Sequence, residues 1–146
     1  MISFGGWYSS FLVLGLGSSV LSGPCVEIGQ PLNEACLKRV KESDQLVLVT
    51  PGQLEPGFEF YYQTVRYTGV VKRGRLVFLS TIDARFRTPE GVSPGMTLSQ
   101  LHLLPSQVHL IPGWAQVYRL PSGWQCGFAF DAKLGTAPKI QFIYKN

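Results

Sequence analysis

The chain has few charged residues and almost no histidine. Only 15% of its 146 residues are charged, against about 25% in an average soluble domain, and its two histidines are His102 and His109. The sequence has no Walker A loop, no dinucleotide-binding glycine pattern, no His-Glu-x-x-His and no Gly-x-Ser-x-Gly. These absences speak against the common nucleotide-dependent, zinc-dependent and serine-hydrolase classes of enzyme.

What the chain has in quantity is apolar and turn-forming residues. Apolar side chains make up 45% of the sequence and aromatic ones 12%, with 16 glycines and 10 prolines. This is enough apolar surface for one folded domain, with short strands joined by turns. The net charge of +4 comes from 13 basic residues that form no long run. It therefore predicts a mildly basic surface and no nucleic acid partner.

The first 25 residues carry no charged side chain, and residues 11–21 form an apolar stretch. A membrane-spanning helix needs about 20 apolar residues, so we predict no membrane span. The stretch fits the apolar region of a secretory signal, with Val20 and Ser22 as the small residues before the cleavage site. We predict a signal segment over 1–22, a single domain over 23–146 and a periplasmic or secreted location. The alternative is a cytoplasmic protein that keeps residues 1–22 as a buried segment.

The three cysteines are Cys25, Cys36 and Cys126. In an exported chain an odd number implies one disulfide and one leftover thiol, or a lipid-modified cysteine. Cys25 and Cys36 can bridge a short loop, whereas Pro24 interrupts the pattern that a lipoprotein cysteine requires. Cys126 alternates with aromatic residues and should be a small buried hydrophobe. No Cys-x-x-Cys pair occurs, and we predict no metal site and no cofactor.

Two similar stretches predict helix starts. The sequence TLSQ at 97–100 is a capping box, in which the Thr hydroxyl accepts an N–H group three residues on and the Gln side chain reaches back. A proline follows closely, so we predict a helix over 97–104. The sequence VEIGQPLNEA, which begins at Val26, resembles VSPGMTLSQL, which begins at Val92. It predicts an earlier helix that ends near Lys41.

The segments that follow the two predicted helices also match in kind. DQLVLVTPG resembles SQVHLIPG, and GRLVFLST resembles PKIQFIYK. Between them lie FEFYYQTVRY, which we interpret as one long strand, and WAQVYRL, which turns through Pro-Ser-Gly into WQCGFAF. The pattern predicts an α+β fold in one sheet-based domain. Two degenerate repeats, residues 26–88 and 89–146, would each have a short helix followed by antiparallel strands.

The predicted helix starts resemble those of two kinds of small exported bacterial protein. These are the SmpA/OmlA-type outer-membrane lipoproteins and the β-lactamase-inhibitor-protein fold, which is built of two helix-plus-sheet repeats. The matching residues are Gly95, Met96, Thr97 and Gln100, with Gly29, Leu32 and Glu34 in the weaker first copy. They set backbone shape and carry no chemistry. The resemblance implies an extracytoplasmic scaffold that binds another protein through its sheet or loops.

The densest charged cluster of the sequence is TIDARFRTPEG, residues 81–91. Arg85 and Arg87, at alternate positions, would point the same way and could hold a carboxylate or a phosphate. The alternative is that Asp83 and Glu90 pair with these arginines on an exposed loop.

The surplus of aromatic residues offers anchors for a protein interface. Tyr, Trp and Arg contribute most to the stability of protein interfaces, although Tyr and Trp are equally good core residues. The candidate binding residues are Tyr61, Tyr67, Arg85, Arg87, Trp114, Tyr118 and Arg119.

The leading hypothesis is a non-enzymatic extracytoplasmic bacterial protein that binds a protein partner, as an envelope assembly factor or as an inhibitor of a secreted enzyme. One alternative is a small hydrolase or peptidoglycan-directed protein, with an acidic pair formed by Asp83 and either Glu59 or Asp131. A nucleophile formed by Cys126 beside a histidine would be an enzymatic variant. The other alternative is a cytoplasmic nucleic-acid-binding module. The sequence leaves the oligomeric state open.

Overall fold

The computed structural model describes residues 25–41, 43–129, 133 and 137–146. The predicted signal segment lies outside them, as do Phe130 and Asp131. Within this part the fold is all-β: one antiparallel sheet of nine strands and two 3-10 turns, Glu34–Cys36 and Pro105–Gln107. The strands are β1 (Lys38–Arg39), β2 (Gln45–Thr50), β3 (Gln53–Tyr62), β4 (Val65–Lys72), β5 (Arg75–Thr81), β6 (His109–Ile111), β7 (Ala115–Arg119), β8 (Gln125–Phe128) and β9 (Phe142–Lys145).

The order of the strands follows from a chain of hairpins. It is β1-β3-β4-β5-β9-β8-β7-β6, and β2 pairs with the first half of β3. Each half of the chain folds its own strands side by side, and the last strand of each half, β5 and β9, joins the two halves. The predicted antiparallel sheet is therefore confirmed.

The predicted α+β fold is wrong, because neither predicted helix forms. At 97–104 the capping box is present: the Thr97 N–H donates to Gln100 Oε1 at 2.9 Å, and the Gln100 N–H donates to Thr97 Oγ1 at 3.2 Å. The chain makes only one helix-like turn, because His102 adopts a left-handed φ of 54°. A short helix forms few hydrogen bonds to offset the unfavourable free energy of nucleation. Packing of Leu98 into the core therefore determines the local structure.

The first predicted helix, which was expected to end near Lys41, is replaced by a 3-10 turn and extended chain. The Asn33 side chain accepts the N–H of Ala35 at 3.1 Å and begins only a 3-10 turn. Leu37 is extended, with φ at −127°, and the next two residues form β1 beside β3. Backbone bonds to the sheet and packing of Leu37 against the core outweigh the local helix signal.

The stretch interpreted as one long strand, residues 58–67, is a hairpin. Gln63 and Thr64 form a tight two-residue turn between β3 and β4, and both have positive φ, 46° and 69°. Such turns are usually marked by Asn or Gly, and neither is present here. Because the chain reverses, Tyr67 lies opposite Phe60 on the same face, whereas a single strand would place them on opposite faces.

The main core lies on one face of the sheet, called face A. The loops before β1 and between β5 and β6 cover this face, and they contribute apolar side chains such as Ile28, Phe86 and Leu98. The opposite face, face B, has a smaller buried cluster around Tyr144. The buried members of the face-B cluster are Val47, Val49, Val70, Phe78, Ala115, Val117 and Tyr144.

The two halves of the sheet meet with approximate two-fold symmetry. When GRLVFLST is aligned with PKIQFIYK, Ser80 and Tyr144 occupy the same position of the two segments. In the structure Ser80 lies directly opposite Tyr144 in the antiparallel pairing of β5 with β9. An approximate two-fold axis therefore passes between these two residues.

The loops that cover face A follow the same symmetry. Gly29 and Gly95 are both left-handed, with φ at 84° and 94°. The Gly29 N–H donates to the Leu76 carbonyl at 2.8 Å, and the Leu76 N–H donates to the Gln30 carbonyl at 2.9 Å. The second loop repeats this exchange: the Gly95 N–H donates to the Ile140 carbonyl, and the Ile140 N–H donates to the Met96 carbonyl, both at 2.8 Å.

Candidate functional site

The outermost hairpin of the sheet, made by β2 and the first half of β3, has exposed apolar residues on face A. Leu46 lies opposite Pro56, and Leu48 lies opposite Leu54, so these four side chains share one face. Leu46 is 67% exposed and Leu54 is 57% exposed. The intervening residues of β2 point the other way, into the buried cluster of face B. We call Leu46, Leu48, Leu54 and Pro56 the wing surface.

The wing surface lies beside an open strand edge. Among the described residues, β2 pairs with β3 alone, so the backbone groups along its other side are available to a further strand. The sequence of β2, QLVLVT, has no charged residue and no proline. Charges and prolines are the usual means by which edge strands avoid additional pairing. Nothing in the composition of β2 therefore discourages the addition of a strand.

The hairpin that carries the wing surface is acidic, although the whole chain is basic. Residues 43–65 contain no Lys or Arg and three carboxylates. Glu55 pairs with Lys72, and Glu59 pairs with Arg66. Asp44, the residue before β2, makes no ion pair within the described part of the chain.

A cleft of about 350 Å³ opens beside Asp44. Its other lining residues are Gln45, Pro56, Gly57, Phe58 and Val71. The cleft thus combines mostly apolar walls with one carboxylate at the start of β2.

A second, polar surface lies at the β3–β4 turn. Tyr61, 36% exposed, lies opposite Arg66. Arg85 makes two bonds to Asp83, Nε to Oδ1 at 2.9 Å and Nη2 to Oδ2 at 2.7 Å. The Arg85 guanidinium holds the pKa of the Asp83 carboxyl well below its usual range. Since Arg66 is paired with Glu59, both cations of this surface have a carboxylate partner.

The structure separates the two arginines of the cluster at residues 81–91. Arg85 lies in a turn and Arg87 in irregular chain, both outside any strand, and the residue between them, Phe86, is buried in the main core. The alternative prediction of an ion pair with Asp83 holds for Arg85. Glu90 instead accepts the Ser122 N–H at 2.7 Å and the Ser122 hydroxyl at 2.9 Å. Arg87 is exposed and makes no ion pair to any described residue.

Most of the candidate aromatic residues belong to the interior. Tyr67 is 8% exposed and stacks on Phe60, and burial raises the pKa of its hydroxyl to about 12. Trp114 packs on Tyr144 with ring centres 4.7 Å apart. Tyr118 is half-buried against the main core.

The exposed members of the candidate set are Tyr61, Arg85, Arg87 and Arg119. The Asp83 carboxylate contacts both Arg85 and the Arg66 N–H. Since Tyr61 lies opposite Arg66, Tyr61 and Arg85 lie near the same end of the β3–β4 hairpin. Arg119 ends β7, opposite Gln125 in β8, on the far side of the sheet. The set therefore does not form a single interface.

The wing surface was not among the predicted binding residues, although the sequence contains a signal for it. QLVLVT has apolar residues at both odd and even positions, as expected of a strand that is covered on both faces. The outer leucines remain exposed because β2 lies at the end of the sheet, and strand order is a non-local property.

The groups considered for catalysis are placed unfavourably for it. Cys126 is fully buried, and burial raises the pKa of its thiol to about 12. His102 and His109 are both exposed. Of the suggested acidic pair, Asp83 and Glu59 are each paired with an arginine, and Asp131 lies outside the described residues.

Two further properties of the described residues bear on function. They contain no group of three or more His, Cys, Asp or Glu side chains that could hold a metal ion. No helix among them is long and apolar enough to span a membrane.

The predicted bridge between Cys25 and Cys36 is confirmed. The two residues form a disulfide, with their Cα atoms 5.9 Å apart. It closes the loop that places Val26, Ile28 and Leu32 against the main core. The bridge therefore fixes one of the two covers of face A.

No family model, no curated protein and no solved structure matches the chain. The features of the chain that indicate a function are therefore the geometry of the wing surface and the sequence signals for export.

Proposed function

We propose that this chain is a non-enzymatic, extracytoplasmic bacterial protein that binds a protein partner through the wing surface. The observation that carries the proposal is the exposure of Leu46 and Leu54, 67% and 57%, beside an uncharged and open strand edge. Apolar side chains grouped on one exposed face are typical of sites where another protein binds. An envelope assembly factor or an inhibitor of a secreted enzyme would use such a surface.

Two features support an extracytoplasmic location. Residues 1–22 have the apolar character of a secretory signal. The Cys25–Cys36 disulfide would persist in the periplasm or outside the cell, where thiols are oxidised.

The state of the carboxylates supports binding over hydrolysis. A hydrolytic pair requires one carboxyl group whose pKa is raised, so that it can donate a proton. Asp83 has the opposite perturbation, because its bonds to Arg85 lower its pKa. Glu59 is engaged by Arg66.

Expression of the full-length chain in a Gram-negative host tests the location. We expect a periplasmic product whose mass corresponds to a start near Gly23, with Cys25 and Cys36 oxidised. An intact, unprocessed chain in the cytoplasm would refute export and would require residues 1–22 to be part of the domain.

In-cell photocrosslinking tests the binding surface. A photoreactive residue at position 46 should yield a discrete adduct with an identified protein. The control is the same residue at position 104, because Leu104 is 65% exposed and precedes β6, the strand at the other end of the sheet from β2. Adducts from position 104 alone, or from neither position, would contradict the wing surface as the binding site.

A further inference from the structure

We infer that β2 accepts an extended segment of the partner as an additional strand, and that this segment has apolar residues at alternate positions and a Lys or Arg that reaches Asp44. The inference rests on the proposed protein-binding function. It adds the mode of binding and the chemistry of the bound segment.

The backbone of β2 supplies the first requirement. Strand addition needs a free edge long enough for several main-chain hydrogen bonds. The edge of β2 extends over six residues, Gln45–Thr50, without proline or charge. β6, the edge strand at the other end of the sheet, has only three residues, His109–Ile111. The longer edge is therefore the better template.

The wing surface supplies the second requirement. In an added strand, alternate side chains point to face A and would lie next to Leu46 and Leu48. Leu54 and Pro56 extend the same apolar surface one strand further. Apolar side chains at every second position of the bound segment would cover these residues, which are otherwise in contact with water.

The third requirement is a charge that the bound segment can complement, and the negative charge of Asp44 favours a segment with a Lys or Arg. Asp44 lies immediately before β2, beside the cleft whose walls include Pro56, Phe58 and Val71. A Lys or Arg side chain fits such a site, because its apolar stem packs on apolar walls while its charged head reaches a carboxylate. Arg39 already shows this arrangement on the same ring: its guanidinium lies 3.9 Å from the centre of Phe58.

Arg39 itself does not neutralise Asp44 by an ion pair. Its guanidinium bonds both carboxylate oxygens of Glu34, Nη2 to Oε1 at 2.6 Å and Nε to Oε2 at 3.2 Å. Arg39 acts on Asp44 only through a longer-range charge interaction, so the Asp44 carboxylate makes no direct ion pair with it and is available to a cation from the partner.

A second copy of this chain is a poorer occupant of the edge. Pairing β2 with β2 of another copy would supply no cation to Asp44 from the facing hairpin, because neither hairpin has a Lys or Arg between residues 43 and 65. Like charges at an interface disfavour association. A basic, apolar, extended segment of a different protein is complementary in both respects.

Synthetic peptides provide the test. The probes are fluorescein-labelled Lys-Val-Thr-Val-Thr-Val-Thr and Val-Thr-Val-Thr-Val-Thr-Lys, which serve the two strand directions, and the same peptides with Glu in place of Lys. Binding to the oxidised domain is measured by fluorescence anisotropy. Amide chemical shifts of β2 report the site. We expect one Lys peptide to bind and to shift the β2 amides, and its Glu counterpart to bind at least about tenfold more weakly.

Three variants locate the interaction. Leu46→Lys should weaken binding of the Lys peptide by about tenfold or more, because it places a charge on the apolar surface. Asp44→Lys should reverse the preference in favour of the Glu peptide. Leu104→Lys is the matched control, because this leucine is exposed to nearly the same extent at a different place, and it should leave the affinity unchanged.

The outcomes separate the alternatives. Equal affinity for Lys and Glu peptides, equal effects of Leu46→Lys and Leu104→Lys, or absence of binding would overturn the inference. A concentration-dependent dimer that is lost in Leu46→Lys would assign the edge to a second copy and would also overturn it. Identified in-cell crosslinks from another surface would preserve the proposed protein-binding function while removing this site. A chain that stays in the cytoplasm yet binds the Lys peptide would refute export alone.

Discussion

The Cys25–Cys36 disulfide joins residues 11 positions apart, and replacing both cysteines with serine should destabilise the domain by about 3 kcal/mol. The value follows from chain entropy: a loop of this length, once closed, removes about 3 kcal/mol of conformational freedom from the unfolded chain at 25 °C. The variant should still fold, since the loop keeps its two backbone bonds to Leu76 and its apolar contacts with the main core. Most of the loss should therefore arise in the unfolded state.

Urea unfolding followed by tryptophan fluorescence measures the effect. Trp114 and Trp124 are both half-buried, and Trp124 packs on Phe86 with ring centres 4.8 Å apart. We expect a lower midpoint for the serine variant. We also expect a slightly steeper dependence on urea, because the unfolded chain without a crosslink exposes more surface.

Reduction provides the control for this experiment. Wild-type protein treated with dithiothreitol should match the serine variant, whereas dithiothreitol should have no effect on the variant itself. A loss below about 1 kcal/mol would refute the reasoning, since it would mean that the bridge does not restrict the unfolded chain as its loop length requires.

Three further predictions follow from individual contacts. Gly127→Ala should destabilise the domain by about 1–3 kcal/mol in urea unfolding, because its Cβ would lie 2.5 Å from Cε1 and 2.7 Å from Cε2 of Phe142; adding Phe142→Leu should recover part of the loss. Arg85→Ala should raise the pKa of Asp83, seen by NMR titration, toward about 3.9. Because the pKa of Asp83 in the folded protein is lowered, the stability that this carboxylate contributes is present above about pH 4 and is lost as the pH falls below it. Burial raises the pKa of the Cys126 thiol to about 12, so this thiol should react with Ellman's reagent only after unfolding. The stability of the domain should also decline as the pH rises from about 8.5, where the thiol of the unfolded chain ionises.

Local signals were sufficient to predict most strands and several turns. Alternating apolar residues mark β5, a Lys-Arg-Gly sequence marks the turn before it, and Pro-Gly marks the turns after β2 and β6. Arg73 and Gly74 have the positive φ values, 51° and 74°, that a tight hairpin requires. The ion pair between Asp83 and Arg85 was also among the predicted alternatives, because the two residues are only two positions apart.

The errors arise where a local signal competes with a distant partner. The capping box at Thr97 forms as predicted, but a cap determines only the first turn of a helix. Continuation depends on what the following residues gain, and here Leu98 gains more by packing into the core. The turn at Gln63 and Thr64 was missed for a related reason: the pairing of β3 with β4 imposes positive φ on residues that do not favour it.

The candidate site was beyond local reasoning for a different reason. Exposure of Leu46 depends on β2 being the end of the sheet, and no residue within β2 encodes the order of strands. The same applies to Tyr67, which is chemically suited to an interface but lies opposite Phe60 in the core. Residue type therefore suggested interface anchors, and topology assigned several of them to the interior.

The approximate symmetry of the sheet suggests how this site arose. We propose that residues 26–88 and 89–146 are two copies of one β-meander, each begun by a loop with a left-handed glycine and joined at Ser80 and Tyr144. Such an arrangement places one edge strand at each end of the sheet, β2 at the first and β6 at the second. Each end has exposed leucine side chains. The two ends differ in charge, since residues 91–118 contain no Lys, Arg, Asp or Glu. If the halves are copies, the acidic character around Asp44 is what distinguishes the first end, and selectivity for a basic partner is expected there and not at the second.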